Sequence, residues 1–185
     1  MSRINTNMAS EFWFFSQLHR LGYKAFITLG NTKAIDITVQ LSDSTILTFD
    51  VKGKQTFNSG TYQYLPNTCK ENHYFCFVGL QIKNEGKIIK FEGEPECYII
   101  SSKDLDLFAF NWTARNKISV GYGFDQNIFR IIKKYSSENE IKSKTEQRKF
   151  TLFKKNHNIT NLDFLSLRDK IMRLEDFEIK YHDKK

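Results

Sequence analysis

Cysteine and histidine are scarce in this chain, and neither is arranged as a metal site. The cysteines form no CxxC pair and are odd in number: Cys69, Cys76 and Cys97. The histidines are equally scattered along the sequence: His19, His73, His157 and His182. Zinc sites need ligands at short, regular spacings, and disulfide frameworks need paired cysteines. We therefore interpret both sets as structural residues.

Long apolar runs are also lacking. No stretch of the sequence approaches the roughly 18 to 20 apolar residues that a membrane-spanning helix needs. Residues 1–12, MSRINTNMASEF, have neither the apolar segment nor the small-residue cleavage site of a signal peptide. The sequence therefore predicts a cytoplasmic protein with no membrane partner.

Aromatic and basic residues, by contrast, are plentiful. The chain is 40% hydrophobic and 15% aromatic, with seventeen phenylalanines, which indicates a folded globular protein. Its net charge is +7. Residues 133–185 hold fourteen Lys and Arg against nine acids, whereas residues 1–132 hold fourteen against twelve. A concentrated basic excess favours a polyanion as partner, although a charge run is also typical of a solvated surface.

The residue pattern predicts a helix followed by several strands. The helix begins at Ser10, with Glu11 in its first turn, and ends at Gly22. Its core face is predicted from residues at helical spacing: Phe12, Phe15, Leu18 and His19. Strands are predicted at residues 23–30, 34–41, 45–55 and 73–82, with at least one more within 88–102.

Helices are predicted to follow the strands. One begins within residues 103–110, a short one lies within 125–138, and an amphipathic one starts near Asn161, whereas residues 111–124 are predicted to be loop. Helices before and after a mixed sheet of about five strands predict an α/β fold, arranged as a three-layer α/β/α domain. We place the core domain at residues 1–132 and a basic, mainly helical C-terminal extension at 133–185.

The string TILTFDVKGKQ, at residues 45–55, sets an acid and a base side by side on a predicted strand. Asp50 and Lys52 are two residues apart, so they share one face. Such a pair is often only an exposed ion pair, worth roughly 0 to 1 kcal/mol. The same acid-x-Lys string also occurs elsewhere, for example at Glu178 and Lys180. Only further acids near the pair would point to chemistry.

Asp36 supplies such an acid. It lies on the preceding strand, on the face opposite Ile35 and Ile37, so neighbouring strands would bring Asp36 and Asp50 together. Clustered carboxylates repel each other unless a cation lies between them, and hard oxygen ligands suit Mg²⁺ or Mn²⁺. The ammonium group of Lys52 could then hold a water or offset charge on a phosphoryl oxygen.

The candidate residues follow a known order along the chain: Glu11 in the first helix, Asp36 on the second strand and Asp50-Val51-Lys52 on the third. In this order the chain resembles the PD-(D/E)xK nuclease superfamily of restriction-enzyme-like folds, and most of all the archaeal Holliday junction resolvases and related small nucleases. The resemblance covers residues 8–55 in motif and extends more loosely to residue 110 in strand order.

The resemblance implies roles for these residues. Asp36 and Asp50 would bind the metal, Lys52 would act on the water and the transition state, and Glu11 would serve a second metal position or orient a water. The motif's proline is Ile35 here, and the acid before Lys52 is Asp rather than Glu, but neither change removes a metal ligand. The alternative for Glu11 is a helix-dipole acid near a cap.

Other residues are candidates for contacts with nucleic acid, with a solvated surface as the alternative for each. They are Lys33, Lys54, Gln55, Lys142, Lys144, Arg148 and Lys149.

The function implied is that of a Mg²⁺-dependent DNA endonuclease of restriction, junction-resolving or mobile-element type, leaving 5′-phosphate products. Two alternatives stay open. One is a nuclease fold that binds nucleic acid without catalysis, and the other is an α/β interaction protein whose Asp50 and Lys52 form only an ion pair. A homodimer, paired through the amphipathic helix from Asn161, is compatible with the need of many nucleases for two active sites.

Overall fold

The computed structural model describes residues 3–28, 35–56, 61–64, 70–85, 88–108, 110–113, 120–125, 127–157 and 163–185. Within these ranges the helices are α1 (Arg3–Arg20), α2 (Asn127–Lys134), α3 (Lys144–His157), α4 (Phe164–Asp169) and α5 (Leu174–Tyr181). The strands are β1 (Lys24–Ile27), β2 (Ile37–Gln40), β3 (Ile46–Lys54), β4 (Thr61–Tyr64), β5 (His73–Gly79), β6 (Ile82–Glu85), β7 (Ile88–Phe91), β8 (Glu96–Ser101), β9 (Phe110–Thr113), β10 (Val120–Asp125) and β11 (Ile171–Met172).

A mixed sheet of six strands lies at the centre, in the order β1-β2-β3-β5-β8-β11. Neighbouring strands in this sheet are antiparallel, except that β5 runs parallel to β3. The mixed α/β class is thus confirmed, with six strands in this sheet rather than the predicted five or so. Two small sheets accompany it, one of β4, β10 and β9 and one of β6 and β7.

Helices pack on both faces of this sheet because its central strand is apolar on both. All of β5 is buried. A first core cluster joins the sheet to α1 and α5, and its members include Phe14, Leu18, Phe49, Tyr74 and Phe177. A second core cluster joins the sheet to α2, α3 and α4, and its members include Phe75, Phe77, Phe129, Phe150 and Leu167. The full three-layer arrangement predicted from the order of helices and strands stays a prediction.

Helix α1 starts well before the predicted cap. It begins at Arg3, so Ser10 and Glu11 lie in mid-helix, and the prediction of a helix start at Ser10 is wrong. Serine is common at caps, but inside a helix its hydroxyl can bond to a carbonyl one turn back. Ser10 does this, since its Oγ donates to the Thr6 carbonyl oxygen at 2.9 Å. Glu11 therefore cannot be a cap-proximal dipole acid.

Two further segments differ from the prediction. Residues 111–124, predicted as loop, belong in part to β9 and β10. The sequence alternates apolar residues with glycine at Val120-Gly121-Tyr122-Gly123-Phe124, and glycine is rare enough in strands to hide this pattern. The predicted helix within residues 103–110 is only a 3₁₀ turn at Leu105–Phe108.

The predicted amphipathic helix from Asn161 is interrupted. It consists of α4 and α5, separated by β11, which pairs with β8 at the edge of the central sheet. Because of the interruption, this segment contributes side chains to both core clusters: Leu167 belongs to the second and Phe177 to the first. Residues of the predicted extension therefore complete the core of residues 1–132.

Residues 181–184 attach to strands from the first half of the chain. The phenol oxygens of Tyr181 and Tyr74 lie 2.5 Å apart. The Lys184 carbonyl accepts a hydrogen bond from the Ser42 N–H at 2.8 Å, and its Nζ lies 2.8 Å from Asp43 Oδ2. The turn between β2 and β3 is thus held by the end of this segment. None of the described helices has the length and apolar character required to cross a membrane.

Candidate active site

Asp36 and Asp50 lie opposite each other at one end of the β2–β3 ladder. Ile37 pairs with Phe49, and the Asp36 N–H donates to the Phe49 carbonyl oxygen at 2.8 Å. Ile37 and Phe49 are fully buried in the first core cluster. Because side chains alternate along a strand, Asp36 and Asp50 stand together on the other face. The hairpin places both carboxyl groups at the same point of the sheet.

Burial and, after it, the neighbouring Asp50 carboxyl raise the pKa of Asp36. Burial is the largest cause of a pKa of about 7, and repulsion by Asp50 adds to it. The Val51 N–H, which donates to Asp36 Oδ2 at 2.6 Å, works in the opposite direction by stabilising the carboxylate. Close carboxylates of this kind hold either a shared proton or a cation.

Lys52 forms an ion pair with Asp50 Oδ1. The Asp50 side chain is buried, at 8% exposure, whereas that of Lys52 is 32% exposed. The ammonium group therefore reaches from solvent toward a buried carboxylate, on the same face as Asp36. A cation in this position can neutralise a phosphoryl oxygen that approaches from the solvent side.

Glu11 approaches the same group from α1. Burial is the main cause that raises its pKa, while Lys52 lowers it and Asp50 raises it further. Both strand residues thus act electrostatically on Glu11. The structure therefore brings together the four residues of the motif: Glu11, Asp36, Asp50 and Lys52.

Close packing between α1 and β3 fixes the position of Glu11. A Cβ atom added to Gly53 would lie 2.2 Å from Ser10 Oγ and 2.7 Å from the Thr6 carbonyl oxygen. The Gly53 N–H also donates to Asn7 Oδ1 at 3.3 Å. Only glycine lets the helix backbone come this close to the strand.

His73 is a neighbour of this site that the sequence analysis missed. It is buried at 2% exposure, and its Nδ1 lies 2.8 Å from Thr48 Oγ1. Thr48 is on the same face of β3 as Asp50, and His73 pairs with Thr48 across β3 and β5. Burial lowers the pKa of His73, while Asp50 acts to raise it. Its Nε2 is buried and makes no hydrogen bond among the described residues.

A signal for His73 was present in the sequence. The histidine opens an apolar segment, HYFCFVG, that forms the buried strand β5. A polar ring at the start of such a strand needs a partner, and the parallel neighbour β3 carries the acids. The parallel register that joins the two strands could not be read from the residues alone.

The predicted nucleic-acid contacts are spread over two regions. Lys54 and Gln55 are half-buried at the end of β3, where their carbonyl oxygens accept from the N–H groups of Leu80 and Ile82 at 2.9 and 2.7 Å. Lys33 lies outside the described residues. The others lie on α3 or just before it: Lys142, Lys144 and Arg148, which are exposed, and Lys149, which is half-buried. The Lys52 charge acts on Asp36 and lowers its pKa.

The carboxyl pair supplies oxygen donors of the kind that a divalent cation binds. Mg²⁺ is commonly held by one or two carboxylates with water in its other positions. Asp36 and Asp50 supply two, and after burial the Asp50 charge adds to the raised pKa of Asp36, a repulsion that a cation would relieve. In the described part of the chain no cluster of three or more His, Cys, Asp or Glu side chains is close enough to form a metal site. The metal role of Glu11 implied by the resemblance stays a prediction.

Comparison with known proteins gave no match: no family model, no curated protein and no solved structure corresponds to this chain.

Proposed function

We propose that this protein is a metal-dependent nuclease that hydrolyses phosphodiester bonds of DNA. The observation that carries the proposal is the meeting of Asp36 and Asp50 across β2 and β3, with Lys52 on the same face. The PD-(D/E)xK resemblance supports it, because it assigns the metal and the transition state to these three residues.

Each side chain has a role in the proposed reaction. Asp36 and Asp50 hold Mg²⁺ or Mn²⁺, which supplies Lewis-acid stabilisation to the phosphoryl oxygens when bound. The Lys52 ammonium offsets the charge that builds on a non-bridging oxygen. Glu11, a carboxyl group at the margin of the site, orients the water that attacks phosphorus in line with the departing 3′-oxygen. The products carry 5′-phosphates, as the resemblance implies.

One observation favours a second candidate function. Lys52 and Asp50 contact each other directly, as they would in an ordinary ion pair. A protein in which this pair only stabilises β3 would bind nucleic acid through its basic surface without cleaving it. Cleavage and binding therefore need separate measurements.

The proposed activity is tested by incubating the protein with supercoiled, linear, branched and single-stranded DNA, in Mg²⁺ or in EDTA. We expect Mg²⁺-dependent cleavage of at least one form and none in EDTA. Asp50→Asn should abolish cleavage, whereas the matched control Asp43→Asn, an exposed acid on the β2–β3 turn, should retain it. Binding without cleavage under all conditions would select the second candidate.

A further inference from the structure

A cavity of about 680 Å³ lies at one end of the central sheet, apart from the carboxyl pair. Cys97 and Tyr98 of β8 line it, as do Trp13 of α1 and residues of α2 and α3. This volume lies within the usual range of small-ligand sites, roughly 300–1,000 Å³.

The cavity is at the same end of the sheet as the last residues of β3. Lys54 of β3 pairs with Gly79 of β5, and Gly79 pairs with Glu96 of β8, which lines the cavity. Neighbouring strands are about 4.8 Å apart, so two steps across the sheet cover about 10 Å, and the four residues from Asp50 to Lys54 add roughly 13 Å along β3. A nucleic-acid strand leaving the carboxyl site could reach the cavity within a few nucleotides.

The charges of the cavity leave two cations available. Arg130 Nη2 lies 3.1 Å from Glu96 Oε1, and Lys134 Nζ lies 3.1 Å from Glu146 Oε1, so these pairs neutralise one another. Lys149 and Arg173 also line the cavity, and neither forms an ion pair within the described ranges.

One acid and one aromatic ring complete the lining. Glu175, which is exposed, is the remaining acid. Trp13 is half-buried in the wall of the cavity, and an indole ring in such a position can stack with a nucleobase. The cavity thus combines a stacking surface with two available cations.

We propose that this cavity binds one nucleotide of a single DNA strand whose scissile phosphate lies at Asp36 and Asp50. Its base stacks on Trp13, and its phosphate faces Lys149 and Arg173. The inference rests on the proposed nuclease function, and it adds a subsite on the strand beside the site of cleavage. It also separates Lys149 from the other basic residues predicted on α3, which do not line the cavity.

Tryptophan fluorescence reports binding in the cavity. Trp112 is the other tryptophan of the sequence, so Trp112→Phe leaves Trp13 as the sole reporter. This variant is titrated in EDTA with 5′-phosphorylated trithymidylate and, separately, with thymidine 5′-monophosphate. We expect quenching by both ligands, with clearly tighter binding of the trinucleotide.

The matched variants are Lys149→Gln and Lys103→Gln in the Trp112→Phe background. Both lose one positive charge, but Lys103 forms an exposed pair with Glu71 and does not line the cavity. We expect Lys149→Gln to weaken trinucleotide binding on the order of fivefold, the upper end for one exposed ion pair. The slope of log affinity against log salt should fall by about 0.7, one phosphate contact on a single strand. Lys103→Gln should change neither, and Arg173→Gln should behave like Lys149→Gln.

Several results would overturn the inference. Equal losses in Lys149→Gln and Lys103→Gln would show a general charge effect, and absence of Trp13 quenching would show that no base enters the cavity. Equal affinity for the mononucleotide would assign the cavity to a free nucleotide. Thermal melts of each variant verify that it is folded. Because binding is measured in EDTA, the binding result can be interpreted even if no cleavage is observed in Mg²⁺.

Discussion

At the scale of single residues, the contact between Asp36 and Asp50 makes stability depend on pH. The pKa of Asp36 is raised to about 7 in the folded protein, chiefly by burial, and an unfolded chain would have a value near 3.9. The folded state therefore holds the proton more tightly. The stability gained from it is full below about pH 4 and is lost as pH rises through about 7.

We predict that Asp36→Asn becomes more stable relative to the wild type as pH rises from 4 to 7 in EDTA. A difference of a few degrees in Tm is expected, since about 1 kcal/mol shifts Tm by roughly 2–4 °C in a domain of this size. His73 also contributes to the pH dependence, because its lowered pKa makes stability fall on acidification. This contribution is present in both proteins and cancels when their Tm values are compared. Asp43→Asn is the control, because the pKa of Asp43 is lowered and this carboxyl group therefore titrates below the range of pH 4 to 7. A difference in Tm between Asp36→Asn and the wild type that stays constant from pH 4 to 7 would contradict the prediction.

Lys52→Ala tests the transition-state role of the ammonium group. We predict a fall in the cleavage rate by a factor on the order of 10² to 10³, typical for loss of one preorganised electrostatic group. The matched control is Lys103→Ala, which breaks an exposed lysine–acid pair with Glu71 at 3.3 Å. Wild-type rates in Lys52→Ala would exclude the role, provided that circular dichroism shows a folded protein.

Asp50→Asn separates metal binding from folding. The substitution removes one of two repelling carboxylates, so the metal-free Tm should stay the same or rise. We expect Mg²⁺ or Mn²⁺ to raise the Tm of the wild type but not that of Asp50→Asn, because stabilisation by a ligand requires its site. A metal-induced rise that persists in Asp50→Asn would place the cation elsewhere.

At the scale of elements, the packing of α1 against β3 governs where Glu11 stands. Gly53→Ala would press a Cβ against the Thr6 carbonyl, so the helix must move. We predict a loss of about 1–3 kcal/mol of unfolding free energy, the usual cost of overpacking, together with slower cleavage. Gly93→Ala is the control, because no atom lies within 4 Å of its added Cβ. Urea denaturation of both variants would test this, and equal stability would contradict it.

The strands of the site were predictable, whereas the helix boundaries were not. Polar and apolar residues alternate through β2 and from Leu47 to Lys52 of β3, so the pattern predicted which face carries Asp36 and Asp50. In α1 the buried positions include Phe14 and Leu18, while the predicted Phe12 is 49% exposed. Three aromatic residues lie next to Phe12, so more than one face of the helix carries aromatic side chains. Which face is buried depends on how the helix packs against the sheet. The partner of His73 likewise depends on a tertiary register.

At the scale of the whole molecule, the basic residues of α3 can be tested only by substitution. Removing residues 142–185 would take Phe150, Phe153 and Phe177 out of the two core clusters, so such a truncation would unfold the domain. The exposed cations are better replaced in place. Lys142, Lys144 and Arg148 are suitable because none of them belongs to either core cluster.

We predict that changing these three residues to glutamine weakens duplex DNA binding in a salt-dependent way. If each neutralises one phosphate, the slope of log affinity against log salt should fall by about 2.7. The comparison variant is Lys103→Gln combined with Lys170→Gln and Lys180→Gln, which removes the same charge from outside α3. An equal effect of both triple variants would contradict a specific DNA surface on α3.

Residues 171–184 add the edge strand β11, cover one face with α5 and fasten the β2–β3 turn through Lys184. Translation proceeds from the N-terminus, so Glu11, Asp36, Asp50 and Lys52 are synthesised long before these contacts can form. Pairs as distant in sequence as Tyr74 and Tyr181 must meet before the core is closed, and such contacts form late. On the ribosome, the carboxyl cluster therefore remains on an incomplete sheet, and the folded site forms only after the segment that closes the sheet has emerged.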